Sequence, residues 1–289
     1  MVMTASPQRT ISSSGVDLCV QTFGNHAAPA ILLIAGGASS MDWWHDELCD
    51  RLAAGGRFVI RYDHRDTGQS VAYPQREPGY DGRDLVEDAA GLLDGLQVDR
   101  AHIVGMSMGG GIAQQLALVH RDRVASLTLV STSPAVSIDR QLPPPSDGLS
   151  KRFAEPPPEP DWSDRDAVID YVVDDARAYV GALPFDEEAM RTLATRIVER
   201  TRNVASSMTN HLLAAEGPPV QGRLGDIRAS TLVVHGTEDP LFPFEHGEAL
   251  AAEIVGARLL PLEGVGHEHP RPDTLDEFVS VLLEHTRTP

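Results

Sequence analysis

The sequence predicts an α/β fold, a mostly parallel sheet with helices on both faces, and three observations carry the prediction. Apolar runs alternate with stretches of helical periodicity from about Val16 to Val130 and again from Ser230 to Glu284. Strands that alternate with helices in this way pair in parallel through crossover connections. The run Ala30-Ile31-Leu32-Leu33-Ile34-Ala35 is apolar throughout, as in a strand covered on both faces. Finally, a glycine-flanked serine, Gly105-Met106-Ser107-Met108-Gly109, closes one apolar run and opens a helix rich in small residues.

Taken in order, Val16 to Phe23 alternates well enough for a strand, and Gly24-Asn25 ends it with turn chemistry. The central run from Ala30 leads into Gly36-Gly37-Ala38-Ser39-Ser40, a loop whose backbone can approach a ligand closely. Trp43, Trp44, Leu48, Leu52 and Ala53 recur at helical spacing. Phe58 to Tyr62 reads as the next strand, and the polar loop Asp63 to Ser70 follows it. Leu85, Ala89, Leu92, Leu93 and Leu96 mark an amphipathic helix from about Arg83. The strand Ala101-His102-Ile103-Val104 then feeds the serine turn and its helix, and Leu127 to Val130 is another strand.

Between about Ala135 and Leu224 the alternation stops. Two triple prolines, at residues 143–145 and 156–158, punctuate the start of this region, and helical periodicity returns over Ala167–Tyr179 and Glu187–Leu213. The expected organisation is a core domain, 1–134 and 225–289, with a helical cap inserted at 135–224. Such an insert lies over the carboxyl ends of the strands, where ligands bind in open α/β sheets. The sheet pattern resumes with Ser230 to His235, a helix from His246 to Ile254, the strand Arg258 to Leu262 and a last helix from about Pro272 to Glu284.

Bulk properties exclude several classes of function. A chain of 289 residues with 42% hydrophobic content is ordinary for a large globular domain. A formal charge of −18 repels nucleic acid and anionic membrane, so neither is expected as a partner. Cys19 and Cys49 are too few for a disulfide framework and lack metal spacing; buried free thiols are expected. The stretch from Met1 to Gly15 is polar, and no apolar run approaches the roughly 18 residues that cross a bilayer. A soluble, cytoplasmic protein is the expectation, and the near-absence of lysine beside many arginines points to a GC-rich bacterial genome. Gly109-Gly110-Gly111 could begin a dinucleotide fingerprint, but Gln114 stands where its third glycine is needed. No cofactor and no metal are expected.

The chemistry is expected at the serine. G-x-S-x-G between a strand and a helix is a nucleophile elbow, a sharp turn that exposes the hydroxyl. It strains the serine backbone, and side chains two residues either way would meet neighbouring backbone. A serine hydroxyl needs a positioned base, itself oriented by an acid. Asp239, directly after the strand 230–235, is the candidate acid, with Glu238 its rival. His267, in Gly264-Val265-Gly266-His267 after the last strand, is the candidate base, with His269 its rival. The backbone N–H groups of Met108 and Gly37 are the candidate oxyanion donors. The Asp63 to Ser70 loop packs Asp, His, Arg and Asp together, but its expected role is structural, bracing a sharp loop beside the elbow.

Those residues resemble an α/β-hydrolase fold serine hydrolase over essentially the whole chain. Within that superfamily the chain is similar to aclacinomycin methylesterase-like esterases. The closer match rests on Ala35-Gly36-Gly37, the run Arg61 to Ser70, the elbow, Asp239-Pro240 and Gly264-Val265-Gly266-His267. The resemblance implies an eight-stranded sheet with one antiparallel strand, a helical cap, and ester cleavage through Ser107, His267 and Asp239 with Gly37 and Met108 as oxyanion donors. A small-molecule ester of small to medium, moderately apolar character, a methyl ester among them, is the expected substrate. The same triad serves lactonases, perhydrolases and carbon–carbon bond hydrolases, and a non-catalytic ligand-binding member of the fold would show damage to the triad. Substrate identity and oligomeric state carry no sequence signal.

Overall fold

Among the described residues, eight strands form one sheet in the order Arg9–Ser13, Val16–Phe23, Phe58–Tyr62, Ala30–Ile34, Ala101–Met106, Val124–Val130, Ser230–Gly236 and Arg258–Leu262. A computed structural model describes residues 5–287; residues 1–4 of the polar N-terminal stretch and residues 288–289 of the expected core domain lie outside them. The strands are β1 (Arg9–Ser13), β2 (Val16–Phe23), β3 (Ala30–Ile34), β4 (Phe58–Tyr62), β5 (Ala101–Met106), β6 (Val124–Val130), β7 (Ser230–Gly236) and β8 (Arg258–Leu262). Only β2 runs against its neighbours, pairing antiparallel with β1 and β4, and every pair from β4 to β8 is parallel. The predicted α/β class and its single antiparallel strand are therefore what the chain forms.

Strand β1 lies outside the runs legible in the sequence. Its residues, Arg-Thr-Ile-Ser-Ser, bury only Ile11 and Ser13, so an edge strand with one wet face leaves little hydrophobic pattern. What fixes it is the turn: Ser14 and Gly15 take φ values of +50° and +81° between the paired residues Ser13 and Val16. Two consecutive positive φ angles suit the right-handed twist of a tight hairpin.

Helices cover both faces. Alternate residues of the central strands separate cleanly: Leu32, Ile34, Ile60, Ile103, Leu127 and Leu129 pack on one side with α2 (Gly82–Gly95) and α3 (Met108–Val119). Ile31, Leu33, Val59, Val104 and Val130 pack on the other with α1 (Asp46–Ala54) and α9 (Leu275–His285). The remaining core helix, α8 (Glu245–Glu253), places Leu250 on the first side. Burying an aliphatic side chain of this size stabilises by about 1.5–3 kcal/mol, so two such layers are the main support of the sheet. Helix α2 starts where Asp81 accepts from the backbone of Arg83 and Asp84 while the Asp84 carboxylate accepts from Asp81, a reciprocal cap.

Between β6 and β7 the chain leaves the sheet and forms α4 (Asp147–Ala154), α5 (Arg165–Arg177), α6 (Glu187–Arg200) and α7 (Val204–Leu213). The helical periodicity read continuously over 187–213 is divided at residues 201–203, where Asn203 begins a new helix by accepting from the N–H of Ser206. Ile169, Val172, Val173, Leu193, Ala194 and Ile197 give α5 and α6 a small core of their own. No helix among the described residues is long and apolar enough to cross a membrane. Cys19 and Cys49 are buried free thiols.

The Asp63 to Ser70 loop docks this insert on the sheet. The Asp63 carboxylate accepts from the backbone N–H of Met41 and Gln69 at 2.9 Å each, and from both terminal nitrogens of Arg200 at 2.7 Å. Arg200, at the end of α6, also donates from Nε to buried Asp42 at 2.7 Å. Nearby, Arg65 holds buried Asp88 of α2 through two bonds of 2.7 and 2.8 Å. The loop's charges are thus spent on bracing, as its composition suggests. Removing one partner of such a pair strands the other charge away from water. Arg200→Met should accordingly lower the free energy of unfolding by about 3–5 kcal/mol in urea titrations. A loss below about 1 kcal/mol, the worth of an exposed pair, would contradict this account of the clamp.

Candidate active site

Because β3, β5, β7 and β8 are parallel, their carboxyl ends share one edge of the sheet, and each sends a loop with a candidate residue over that edge. Gly36 and Gly37 follow β3, Ser107 follows β5, Asp239 follows β7 and His267 follows β8.

Ser107 sits at φ +52° and ψ −119°, a conformation that a residue with a side chain avoids. Its surroundings hold it there. The N–H of Ser107 donates to Val130 at 3.0 Å, and its carbonyl accepts the Thr132 hydroxyl at 2.7 Å together with the first bonds of α3. The flanking glycines are required by space: a Cβ on Gly105 would lie 2.2 Å from the Gly109 carbonyl oxygen, and one on Gly109 would lie 2.3 Å from that of Ile34. Helix α3 begins at Met108, so the N–H of Met108 belongs to the first turn, which has no carbonyl partner within the helix. The same end carries the positive pole of the helix dipole. Gly36 lies beside the serine: a Cβ there would stand 3.5 Å from that of Ser107, at ordinary van der Waals contact.

Asp239 is buried, and its two carboxylate oxygens divide the work. Oδ1 accepts from the N–H groups of Leu241 and Phe242 at 2.9 and 2.8 Å; Oδ2 accepts from Nδ1 of His267 at 2.8 Å. A turn-forming aspartate and an imidazole partner are thus one residue. Burial opposes its ionisation, but the imidazoles of His267 and His235 and the backbone donors outweigh that and hold Asp239 below the usual carboxylate range. Glu238 is exposed. The His267 ring packs against Phe242 and Tyr179, with centroids 5.4 and 5.9 Å away, and the backbone N–H of His267 donates to the Tyr179 carbonyl at 2.8 Å. With Nδ1–H committed to a carboxylate, Nε2 is the ring nitrogen left to accept a proton. His269 instead packs against Trp43 and Trp44 at 5.3 and 5.0 Å, and burial, with His45 and His267 nearby, keeps it neutral.

Asp239 and His267 are therefore brought into direct hydrogen bond, while among the described residues the Ser107 hydroxyl makes none. Tyr179, whose carbonyl anchors His267, carries no signal in the sequence, because a backbone acceptor can come from any residue type. No group of His, Cys, Asp and Glu among the described residues is arranged to hold a metal ion.

Two measurements test this geometry. Gly109→Ala should destabilise the fold by at least the roughly 1–3 kcal/mol of an overpacked interior, and an unchanged melting temperature would refute the close approach. The depressed Asp239 contributes stability that is complete above the carboxylate's unfolded value near about 4 and is lost as pH falls through its lower folded value. In Asp239→Asn the unfolding free energy should fall less steeply below about pH 4 than in the parent protein.

Comparison with known proteins agrees with this architecture. The family model of the alpha/beta hydrolase fold matches residues 29–158. Rhodomycin D methylesterase DauP of Streptomyces sp. (strain C5) is 34% identical over 97% of this chain and 98% of its own. The 2-hydroxy-6-oxo-6-phenylhexa-2,4-dienoate hydrolase of Comamonas testosteroni is 26% identical over 89% of this chain and 87% of its own. Among solved structures, a hydrolase from Pseudomonas aeruginosa PA01 superposes with a TM-score of 0.71 at 25% identity, covering 99% of this chain and all of that one. Given a methylesterase relative at this identity over nearly the full length, and the serine turn on the shared strand edge, the chain belongs to the α/β-hydrolase fold family and is a hydrolase.

Proposed function

We propose that the protein hydrolyses carboxylic esters through a Ser107–His267–Asp239 triad. The observation that carries the reading is the strained Ser107 turn on the same sheet edge as the bonded His267–Asp239 pair. In this mechanism Ser107 Oγ attacks the ester carbonyl while His267 Nε2 takes its proton, and Asp239 stabilises the imidazolium through Nδ1 without itself becoming protonated. Charge gathers on the carbonyl oxygen, and the N–H groups of Gly37 and Met108 receive it. Collapse breaks the carbon–oxygen bond, the imidazolium protonates the departing alcohol, and an acyl-Ser107 remains. Water then attacks with His267 as base, releasing the acid and restoring the hydroxyl.

Residues 135–224 serve as a cap on a core of 1–134 and 225–289. In support, Ala182 and Leu183 of the insert donate to the Gly264 carbonyl at 2.8 and 3.2 Å, next to the Tyr179 contact with His267. The methylesterase relative favours a methyl ester of moderate size as substrate. A second reading keeps the same triad and cleaves a carbon–carbon bond in a diketone; the relative named as a hydrolase of an oxo-substituted dienoate favours it.

Ser107→Ala should lower hydrolysis of p-nitrophenyl and methyl esters by about four orders of magnitude or more and abolish labelling by a fluorophosphonate. Undiminished labelling and turnover would refute the triad. Turnover of a diketone panel well above that of any ester would replace the first reading with the second.

A further inference from the structure

The loop that carries Gly37 is held by a residue of the insert. Ala38 sits at φ +58°, a left-handed conformation unusual for a residue with a side chain. Its N–H donates to Nδ1 of His211, on α7, at 2.9 Å, and Nε2 of the same ring lies 2.9 Å from the carbonyl oxygen of Arg65. The partners dictate the tautomer. A backbone N–H requires a lone pair on Nδ1 and a backbone carbonyl requires a proton on Nε2, so the imidazole is neutral. Burial acts in the same direction, holding His211 below its ordinary value. Across the same peptide unit the Gly37 carbonyl accepts the Ser39 hydroxyl at 3.2 Å. The Gly37–Ala38 peptide is thereby pinned at its N–H and at its C=O.

Sterics alone would leave this unit loose. A Cβ on Gly37 would meet nothing nearer than 3.8 Å, so no crowding restricts its backbone, and glycine is the most freely rotating residue. Upstream, the Ala35 carbonyl is fixed by Nε2 of buried His64 at 3.0 Å, and the rings of His64 and His211 meet edge to face at 5.7 Å. Tyr80 also meets the His211 ring edge to face, at 6.1 Å.

We propose that His211 is a positioning residue for the oxyanion loop: by accepting the Ala38 N–H it fixes the Gly37–Ala38 peptide and so aims the Gly37 N–H at the developing oxyanion. The proposal rests on the Ser107 hydrolase reading. It makes the insert a component of transition-state stabilisation, since the group that sets the loop belongs to α7.

Two amide variants separate the contacts of the ring. In His211→Asn the amide oxygen stands at the place of Nδ1 and keeps the acceptor for Ala38. In His211→Gln the amide nitrogen stands at the place of Nε2, keeping the donor to Arg65 and losing that acceptor. Loss of a single oxyanion donor costs about 100–1,000-fold in kcat, and a misaimed one should cost less. His211→Gln should thus lower kcat for a p-nitrophenyl ester about 10–100-fold with KM nearly constant, slow fluorophosphonate labelling in step, and be largely rescued in His211→Asn. Equal kcat in the two variants, or a change confined to KM, would overturn the proposal. Nitrogen-15 spectra of histidine-labelled parent protein, assigned by loss of the signal in His211→Asn, should show an unprotonated Nδ1 and a protonated Nε2. The opposite tautomer would overturn the proposal even if His211→Gln did not fold. Ser107→Ala is measured alongside: activity surviving there would remove the underlying triad, whereas an inactive Ser107→Ala beside unaffected His211 variants would remove only the role of His211.

Discussion

The approach of α3 to the end of β3 is the constraint on which the active edge depends. Gly109 lies so close to the carbonyls of Ile34 and Ala35 that any side chain there would overlap backbone, with the Ala35 oxygen 2.4 Å from an added Cβ. That approach turns the chain hard at Ser107 and leaves it in a conformation that local preference disfavours. It also brings the first turn of the helix beside the Gly36-Gly37 loop. The Ser107 turn, the helix pole and the Gly36-Gly37 loop are consequently set by one backbone contact, and the strain at Ser107 is tolerated because the buried layers on both sheet faces fix the strand and the helix independently.

Three of the ties that fasten the insert between β6 and β7 use different kinds of bond. Arg200 ties α6 to Asp63 by paired charges, Tyr179 and its neighbours tie the segment between α5 and α6 to the β8 loop by backbone hydrogen bonds, and His211 ties α7 to the β3 loop through a neutral ring. The charged tie is the most sensitive to losing a partner, and the backbone tie accepts any side chain at Tyr179, whose carbonyl alone it uses. The three together place the insert in register with the edge where the candidate residues emerge.

Much of this was legible in the chain because the signals were local. Continuous apolar runs identified the buried strands, and the order Ser107, Asp239, His267 identified the loops that converge. Loop position favours Asp239 over Glu238 and His267 over His269; in the fold Asp239 bonds His267, Glu238 is exposed and His269 packs against Trp43 and Trp44. What escaped was non-local or unpatterned. Strand β1 is polar on its outer face, and its only local cue is the Ser14-Gly15 pair. The break between α6 and α7 depends on Asn203, one capping side chain inside an otherwise continuous periodicity. The contacts of Tyr179 and His211 join residues far apart in sequence through backbone atoms, which leave no trace in residue type.

The meeting of Gly181 with Gly266 has a consequence for how such proteins diversify. Each glycine lacks the room for a single methyl group, since a Cβ on Gly181 would stand 2.5 Å from the Gly264 carbonyl oxygen and one on Gly266 would stand 2.3 Å from the Gly181 nitrogen. The two segments are therefore an interlocking pair. A foreign insert grafted between β6 and β7 would fit only if it brought its own partner for the β8 loop, so recombination that exchanges the insert alone disturbs the segment bearing His267. Inheritance of the insert and of that short loop is mechanically linked, although more than 80 residues of chain lie between Gly181 and Gly266.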